Sequence, residues 1–380
     1  MKLSVLKEFL NESIQHVSKA ISNKTTVPIL TGIKIDVDSS GMTLTASDTD
    51  ISIQSFIPIE KNELQVIELK QSGSVVLPSK FFVEITRKLP AQQIEIEVKD
   101  NFQTIIRSGS SEIQLMGLDP EEYPIMPGIE ESKRIQIPSD VLKQMIKQTS
   151  FAVSTNEATP ILTGILWTVQ NGKLKFTGCD RHRLASREAA IDTEASFTLN
   201  NVCIAGKTLN ELSKILPDQN TLIDVIFADN QVLFKMSSLL FYTRILEGTY
   251  PDTSKLIPQS YQTQLVVHTD QLISAIDRAY LLSREDKSNI VKLTMRDNGS
   301  IEISSSSTEL GKVTEELDTV QLTGDMLRIS FNSKYMLDAL KVIDSEHIHI
   351  GFTGAMQPII IRPDENASLL QLILPYRTTS

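Results

Sequence analysis

The hexapeptide PILTGI at residues 28–33 recurs without change at residues 160–165. The same offset of 132 residues, from 28 to 160, carries Asp48 in TASDTD onto Asp180 in TGCDRH. Similar segments at a fixed spacing are the sequence signature of a repeat architecture. Two landmarks that share one offset therefore predict that the chain uses one structural plan at least twice.

A second set of landmarks extends the repeat to three copies. Three similar segments begin at residues 79, 206 and 333, reading SKFFVEITRKLP, GKTLNELSKILP and SKYMLDALKVID. Their lysines, Lys80, Lys207 and Lys334, are spaced 127 residues apart. In the third copy the PILTGI position is filled by NIVKL at 289–293, which is assigned by the order of elements. Proline-bearing seams then predict three domains, at residues 1–128, 129–251 and 252–380.

Length and composition agree with several soluble domains. A chain of 380 residues exceeds the size at which single cores stop growing, and its 41% hydrophobic and 22% charged residues are ordinary for a globular protein. The N-terminal segment MKLSVLKEFLN contains Lys7 and Glu8 where a signal peptide needs an apolar stretch, so we expect a cytoplasmic protein. Cys179 and Cys203 are too far apart for a C-x-x-C site and are expected to be reduced thiols.

Each copy shows the same order of predicted elements. Apolar residues at helical spacing predict a first helix at residues 7–21, 140–154 and 270–284, and the three Lys segments predict a second. Ser79 and Ser333 are predicted N-caps. Alternating runs predict strands at Ile94, Lys173, Ile301 and His347. The expected fold class is α+β, with three repeated domains of two helices packed on antiparallel sheets.

The net charge of −10 argues against a nucleic-acid partner, because phosphate binding usually leaves a basic footprint. The predicted helical segments, however, contain thirteen Lys and Arg against eight Asp and Glu, a net +5 that leaves −15 elsewhere. Such segregation permits a positive surface on an acidic protein. Basic residues that merely solvate amphipathic helices explain the count equally well at this point.

Two polar groups raise the question of catalysis or metal binding. Asp180 and His182 resemble an oriented base of a hydrolase, but no nucleophile, phosphate loop or metalloprotease motif accompanies them in the sequence. His347 and His349 form an i,i+2 pair that could hold a metal. An alternating strand with Ile348 and Ile350 turned inward is favoured instead, and no metal site is predicted. The apolar C-terminal run LLQLILP is either core or the wall of a pocket.

Together these features resemble the bacterial β sliding clamps, the processivity subunits of replicative DNA polymerases, and most closely those of Gram-positive bacteria. The resemblance rests on the three copies, PILTGI, the TASDTD and CDRHRLA turns, the YPD seam and the LPYR ending, and it spans the chain. It implies a non-catalytic clamp without a cofactor. It also implies a head-to-tail homodimeric ring of six domains that encircles duplex DNA without sequence preference and tethers the replicative polymerase, the clamp loader and repair proteins.

The resemblance also assigns residues by position. The expected DNA contacts are Lys24, Lys80, Asn156, Lys207 and Lys334. A partner peptide with a Gln-Leu and a terminal Leu-Phe is expected in a cleft lined by Leu162, Cys179, His182, Arg183, Leu184, Pro251, Leu256, Met356, Pro358, Leu372, Leu374, Pro375, Tyr376 and Arg377. At the dimer interface Ile113 and Leu115 are expected to meet Leu281 and Leu282.

Three positions depart from the family pattern and leave the peptide preference open. Cys179 stands where Thr is frequent, Arg181 where Gly is frequent and Tyr376 where Met is frequent. Leu162 is expected to line the cleft, whereas no pocket is expected at Leu30, its counterpart in the first copy. The alternative from another functional class is a repeat-built protein-interaction scaffold that does not bind DNA.

Overall fold

The computed structural model describes residues 1–22, 25–126, 128–129, 133–194, 196–285, 289–307, 309–363 and 368–377. These residues form two compact units. The first unit consists of Met1–Ser139 and Lys214–Ile245, and the second consists of Asp140–Ser213 and Leu246–Ser380. Residues 1–128, 129–251 and 252–380 are called the first, second and third repeat below. The second repeat thus contributes to both units.

The first repeat contains two helices, α1 (Lys7–Val17) and α2 (Ser79–Lys88). Its strands are β1 (Lys2–Leu6), β2 (Gly32–Val37), β3 (Gly41–Ser47), β4 (Ile51–Pro58), β5 (Glu60–Lys61), β6 (Leu64–Gln65), β7 (Ile67–Gln71), β8 (Gly73–Pro78), β9 (Gln93–Val98), β10 (Gln103–Ser108) and β11 (Ser111–Met116).

The second repeat contains α3 (Ser139–Thr149) and α4 (Gly206–Ser213). Its strands are β12 (Lys133–Pro138), β13 (Gly164–Gln170), β14 (Lys173–Cys179), β15 (Arg183–Ala190), β16 (Leu199–Ala205), β17 (Leu222–Phe227), β18 (Gln231–Met236) and β19 (Leu239–Arg244).

The third repeat contains α5 (Thr269–Glu285) and α6 (Ser333–Leu340). Its strands are β20 (Thr263–His268), β21 (Ile290–Met295), β22 (Ile301–Ser307), β23 (Gly311–Leu317), β24 (Gln321–Gly324), β25 (Arg328–Asn332), β26 (His347–Phe352), β27 (Ile359–Pro363) and β28 (Leu369–Ile373). Among the described helices, none is both long and apolar enough to cross a bilayer.

Within the first unit, the sheets continue from one repeat into the next. The five-stranded sheet has the order β11-β10-β9-β1-β7, and the eight-stranded sheet has the order β12-β17-β18-β19-β4-β3-β2-β8. The junction between repeats is an antiparallel pairing in which Leu239 lies opposite Ser55 and Thr243 opposite Ile51. The last strand of the second repeat, β19, therefore pairs with β4, which would otherwise be an edge strand of the first repeat.

The second unit repeats this junction. Its nine-stranded sheet has the order β16-β13-β14-β15-β28-β27-β26-β20-β24, and its four-stranded sheet has the order β23-β22-β21-β25. In the antiparallel pairing of β15 with β28, Arg183 lies opposite Ile373 and Arg187 opposite Leu369. At both junctions the last strand of one repeat pairs with the fourth strand of the repeat before it.

The predicted helices and strands are confirmed, with small differences at the helix ends. On α1 the apolar positions Leu10, Ile14 and Val17 are buried, as their three- and four-residue spacing predicts. The helix ends at Val17 because the chain tightens into a 3₁₀ turn at Ser18–Ala20. On β26, Ile348 and Ile350 are buried, which confirms the alternating strand predicted there.

The predicted N-caps were wrong. The hydroxyl of Ser79 donates a 2.6 Å hydrogen bond to the carbonyl of Thr31, and that of Ser333 donates a 3.0 Å bond to the carbonyl of Asn289. The side chain of Asn332 instead caps α6 by accepting from the Tyr335 N–H at 3.2 Å. Each serine thus joins the start of a helix to the residue that precedes a strand, in the first and third repeats alike.

The charge excess of the helices is smaller than the predicted segments indicated. Within the observed bounds, the six α-helices of the described chain contain ten Lys and Arg and nine Asp and Glu, a net +1. Lys19, Lys214 and Lys341 lie just beyond helix ends, and Glu285 lies inside α5. The basic excess therefore belongs to the residues that follow the helices.

Both PILTGI segments adopt the same structure. Pro28–Thr31 and Pro160–Thr163 are 3₁₀ turns, and the following glycines begin β2 and β13. A Cβ on Gly32 would lie 2.5 Å from Val76 Cγ1, and one on Gly164 would lie 2.5 Å from Cys203 Sγ. Glycine is favoured at both positions because another segment of the same chain approaches too closely for a side chain to fit without displacement.

Candidate functional site

The floor of the predicted cleft is a buried apolar cluster in the second unit. Leu162, Cys179, Leu184 and Leu372 belong to one cluster with Tyr250, and each is at most 7% exposed. The four predicted residues come from three strands and a 3₁₀ turn of two repeats. The structure therefore brings together positions that are up to 210 residues apart in the sequence, from Leu162 to Leu372.

The C-terminal segment is held against this floor by backbone hydrogen bonds. Leu372 pairs with Leu184 in the β15–β28 ladder, and the Leu374 N–H donates to the His182 carbonyl at 2.8 Å. Beyond the ladder, the Tyr376 N–H donates to the Ser330 carbonyl at 2.7 Å. This path fixes the backbone, while the side chains of Leu374 and Tyr376 stay exposed.

The remaining predicted cleft residues are more exposed than the floor. Leu256, Met356 and Tyr376 are large side chains that remain about half exposed, at 46%, 51% and 52%. The others in this group are exposed (Pro251, Leu374 and Arg377) or half-buried (Pro358 and Pro375). Where exposed apolar side chains form a contiguous patch, they are typical of surfaces that bind other molecules.

The polar turn after β14 is built around Asp180. Its Oδ1 accepts hydrogen bonds from the backbone N–H groups of His182 and Arg183, both at 3.0 Å. Arg181, between them, has a φ of +76°, in the region that favours glycine. Arg181 Nη2 also donates to Thr159 Oγ1 at 2.9 Å, which ties the turn to the segment before the second PILTGI.

The first repeat contains the same turn. Asp48 Oδ1 accepts from the N–H groups of Asp50 and Ile51 at 3.0 and 2.9 Å, and Thr49 has a φ of +90°. The equivalence of Asp48 and Asp180, inferred from their offset, therefore extends to hydrogen bonds and backbone angles. A turn that recurs in a repeat with different neighbouring side chains has a structural role in both.

Arg183 donates a hydrogen bond to the second carboxylate oxygen of Asp180. Its Nε donates to Asp180 Oδ2 at 3.0 Å, and its Nη1 donates to Asp338 Oδ2 at 2.7 Å. The guanidinium carbon also lies 4.4 Å from the ring centroid of Tyr335, a cation–π contact. Since both oxygens of Asp180 serve these contacts, the arrangement does not support Asp180 as the orienting partner of His182 in a hydrolase.

His182 instead forms part of an open cavity. Its ring lies roughly parallel to that of Tyr335, with centroids 6.3 Å apart. The cavity has a volume of about 360 Å³ and is lined by Leu162, Arg183, Asn156 and Lys334 in addition to these two rings. Asn156 and Lys334, predicted to contact DNA, therefore lie beside residues predicted to contact the partner peptide.

The predicted DNA-binding lysines occupy equivalent positions. Lys80, Lys207 and Lys334 are each the second residue of a helix, at the starts of α2, α4 and α6, and all three are exposed. Lys80 also lies 5.9 Å from the ring centroid of Phe81. Lys24 lies outside the described residues.

The predicted interface residues lie on two different elements. Ile113 and Leu115 are half-buried residues of β11, at the end of the five-stranded sheet. Leu281 is 51% exposed and Leu282 is half-buried, both in the C-terminal part of α5. All four thus retain accessible apolar surface.

The expectation that Leu30 has no pocket was wrong. A cavity of about 340 Å³ in the first unit is lined by Leu30, Thr49, Ile125, Tyr242 and neighbouring residues. It arises because β19 lies against β4 just as β28 lies against β15, so the junction creates a recess at each PILTGI turn.

The sequence did not single out three residues that contact the predicted cleft residues. Asp338 and Tyr335 both contact Arg183, and Tyr250 packs in the buried cluster of the floor. Only Tyr250 had a sequence signal, because the dipeptide Tyr-Pro occurs at residues 123–124 and again at 250–251.

The thiols near the cleft floor are poor nucleophiles. Burial raises the pKa of Cys203 to about 12, and the neighbouring Cys179 contributes in the same direction. Burial likewise raises the pKa of Cys179 above its ordinary value. Both cysteines are free and buried, so the neutral thiol packs as a small apolar group.

Comparisons with known proteins agree with the fold. Three family models match the chain: the N-terminal domain of the DNA polymerase III beta subunit at residues 1–127, its central domain at 136–252 and its C-terminal domain at 254–377. The beta sliding clamp of Bacillus subtilis (strain 168) is 51% identical over 378 residues, and that of Halalkalibacterium halodurans is 48% identical over 379. Both alignments cover 100% of each chain.

Solved structures give the same result. A DNA polymerase sliding clamp from Bacillus subtilis superposes with a TM-score of 0.97 at 51% identity, covering 100% of this chain and 99% of that one. A DNA polymerase III beta chain from Streptococcus pneumoniae TIGR4 gives a TM-score of 0.95 at 36% identity, covering 99% and 100%. The repeats and their sheet junctions thus define the DNA clamp fold. Within that class, the chain belongs to the DNA polymerase III beta subunit family, the bacterial sliding clamps of Gram-positive type.

Proposed function

We propose that two copies of this chain form a closed ring that encircles duplex DNA and holds a DNA polymerase on it. In this proposal each chain contributes three domains, at residues 1–128, 129–251 and 252–380. The full-length similarity to sliding clamps carries the proposal. In this proposal the chain catalyses no reaction, and the ring stays on DNA because it encloses the duplex. It acts in the cytoplasm, where bacterial DNA is found.

The junctions within the chain supply a rule for closing the ring. Twice, the last strand of a repeat pairs with the fourth strand of the preceding repeat. The last strand of the first repeat is β11, and the fourth strand of the third repeat is β23; each is the end strand of its sheet. By the same rule, β11 of one chain would pair with β23 of a second chain.

Such pairing is head-to-tail and occurs twice in a dimer, which closes the assembly. It would also cover two sheet edges that otherwise present backbone hydrogen-bonding groups to solvent. Ile113 and Leu115 on β11 and Leu281 and Leu282 on α5 would supply apolar contacts beside the paired strands. The repeat rule and the family both support the proposed homodimer.

The proposed DNA contacts are sparse and non-specific. Lys80, Lys207 and Lys334 are exposed at equivalent helix starts, and Lys24 and Asn156 are added by position. Contacts between lysines and phosphates are independent of sequence and weaken as salt rises, which permits sliding. The small charge excess of the helices fits weak contact, because retention comes from the ring itself.

The cleft of the second unit is the proposed docking site for partners. A short peptide with a Gln-Leu and a terminal Leu-Phe would place its apolar side chains over Leu162, Leu184 and Leu372, between exposed Met356 and Tyr376. The polymerase, the clamp loader and repair proteins would compete for it. Apolar anchors in a buried pocket generally dominate affinity in such interfaces.

Retention on circular DNA tests the ring. The purified chain, loaded with a clamp loader onto nicked circular duplex DNA, should elute with the circle at high salt and dissociate after a restriction enzyme linearises it. Lysine contacts alone would be lost from both forms at high salt. Equal loss from circle and linear DNA would overturn the clamp proposal in favour of a scaffold that does not encircle DNA.

Peptide binding tests the cleft separately. Tyr376→Ala should weaken binding of a fluorescent partner peptide at least about tenfold, which corresponds to about 1.4 kcal/mol. Leu222→Ala, at an exposed position on β17 of the first unit, serves as the matched control and should leave the affinity unchanged. Equal affinities for the wild type and the Tyr376 variant would remove this residue from the site.

A further inference from the structure

A cluster of metal-ligating side chains lies in the third repeat, away from the cleft. His268 is the last residue of β20, His347 is the first residue of β26, and the two are directly opposite in the antiparallel ladder. Their ring centroids are 4.5 Å apart. The carboxylate of Glu346 completes a group whose potential ligand atoms all lie within 4.8 Å of one another.

We propose that His268, Glu346 and His347 form a binding site for a divalent transition-metal ion, with Zn²⁺ as the ion of choice. Two imidazoles and one carboxylate suit zinc, whereas Mg²⁺ and Ca²⁺ prefer oxygen ligands. Solvent would supply the fourth ligand, because all three side chains are at least partly accessible. His349, which the sequence paired with His347, lies two residues further along β26 and outside this cluster.

The ligand spacing is compatible with binding after small side-chain rotations. Zinc–nitrogen bonds of about 2.0–2.1 Å place two ligand atoms of a tetrahedral site roughly 3.3–3.4 Å apart. The observed limit of 4.8 Å therefore requires an approach of at most about 1.5 Å. Rotation about the side-chain bonds of the half-buried histidines and exposed Glu346 can provide this movement without shifting the sheet.

The backbone that carries the ligands is held in place by several hydrogen bonds. The Thr269 N–H donates to the Glu346 carbonyl at 2.9 Å, and its hydroxyl donates to the Ser345 carbonyl at 2.7 Å. The Ser345 hydroxyl in turn donates to the His347 carbonyl. The turn before β26 is thus fastened to the start of α5, and a fixed backbone lowers the cost of bringing three ligands together.

A bound ion would link the end of β20 to the start of β26 and to the turn before it. Since it binds only where these elements are folded together, it would stabilise the folded state in proportion to its concentration. This consequence does not depend on whether the chain encircles DNA.

Titration calorimetry on the full chain, without a histidine tag and treated with a chelator, tests the site. We expect one Zn²⁺ per chain, no comparable heat with Mg²⁺, and an affinity at least about tenfold lower in H268Q and in H347Q. H349Q is the matched control, on the same strand and outside the cluster, and it should bind like the wild type. Co²⁺ should give visible absorption bands that H347Q lacks.

Thermal unfolding provides a second readout that separates binding from folding. Zn²⁺ should raise the unfolding midpoint of the wild type and of H349Q but not of H268Q or H347Q, with all four alike in the presence of chelator. Equal zinc affinity in H347Q and the wild type, or loss of binding in H349Q to the same extent, would overturn the proposal. So would failure of the wild type to bind one Zn²⁺ per chain at about 100 μM Zn²⁺, a concentration that a site of even modest affinity would bind.

Discussion

Arg183 donates a 2.7 Å hydrogen bond to Asp338, a residue 155 positions further along the chain. Arg183 begins β15 in the second repeat, and Asp338 lies on α6 in the third. The arginine side chain is only 11% exposed, whereas that of Asp338 is 32% exposed. The pair therefore ties two repeats together inside the second unit, at the wall of the proposed peptide cleft.

Asp338→Asn should lower the free energy of unfolding by about 1–3 kcal/mol, because Arg183 would lose a charged acceptor in a mostly buried position. Partial exposure of Asp338 keeps the loss below that of a fully buried pair. Urea unfolding of the variant and the wild type measures the difference. Asp344→Asn is the control: its pairing with Lys147 is long, 4.0 Å, and exposed, so its effect should stay within about 0.5 kcal/mol.

Gly164→Ala should destabilise the second PILTGI segment by about 1–3 kcal/mol through overpacking. The added Cβ would lie 2.5 Å from Cys203 Sγ and 2.7 Å from Leu246 Cδ1. Gly128→Ala offers a comparison, since a Cβ there meets no atom of the described residues within 4 Å, and it should be neutral within about 0.5 kcal/mol. Equal unfolding midpoints for the two variants in urea would contradict the close-approach argument.

Leu115→Arg should shift the proposed homodimer toward monomer, because it places a charge among the apolar contacts at the β11 edge. Sedimentation velocity across a dilution series measures the change, and the dissociation constant should rise at least about tenfold. Gln114→Arg is the matched control on the same strand, since Gln114 is exposed where Leu115 is half-buried. A dimer that is equally stable in both variants would argue against pairing through β11.

The free energy of unfolding should fall as pH rises from 9 toward 12. The pKa of Cys203 is raised from 9.0 to about 12 in the folded chain, so the unfolded state loses this proton first and is favoured over that interval. The slope is at most about 1.4 kcal/mol per pH unit for this group. Burial of Tyr250 raises its pKa as well, which adds to the effect at the upper end.

Cys203→Ala should make this pH dependence shallower, measured by urea unfolding at pH 8, 9.5 and 11. The alanine variant will be less stable at pH 8 because it leaves a small void, so the comparison concerns the slope and not the absolute value. An unchanged slope would mean that burial does not raise the pKa of the Cys203 thiol in the folded chain, because the unfolded thiol titrates within this range.

Patterns within single segments of the sequence predicted the helices and strands well. The caps and site residues that were not predicted depend on contacts between distant segments. The spacing of Leu10, Ile14 and Val17 defines α1 because a helix repeats every 3.6 residues within one segment. Ser79 failed as an N-cap because its acceptor, the Thr31 carbonyl, belongs to a distant segment whose approach no local pattern reveals. The cleft residues were assigned by resemblance, and Asp338 was missed because it looked like one more polar residue on an amphipathic helix.

The pocket at Leu30 has the same origin. Nothing in the first repeat alone indicates a recess there, since it forms only when β19 of the second repeat pairs with β4. The identity of the two PILTGI segments nevertheless indicated similar local structure. Each segment forms a 3₁₀ turn, each has a glycine in close contact with a neighbouring strand, and each borders a cavity.

The sheet junctions also constrain how the chain is made. As the ribosome synthesises the protein, residues 51–55 emerge long before residues 239–243, which cover their edge. The same delay separates residues 183–187 from residues 369–373. The first and second repeats therefore each keep an unpaired strand edge until the following repeat is nearly complete. We expect the nascent chain to be most prone to misassociation while the final strand is still inside the ribosome.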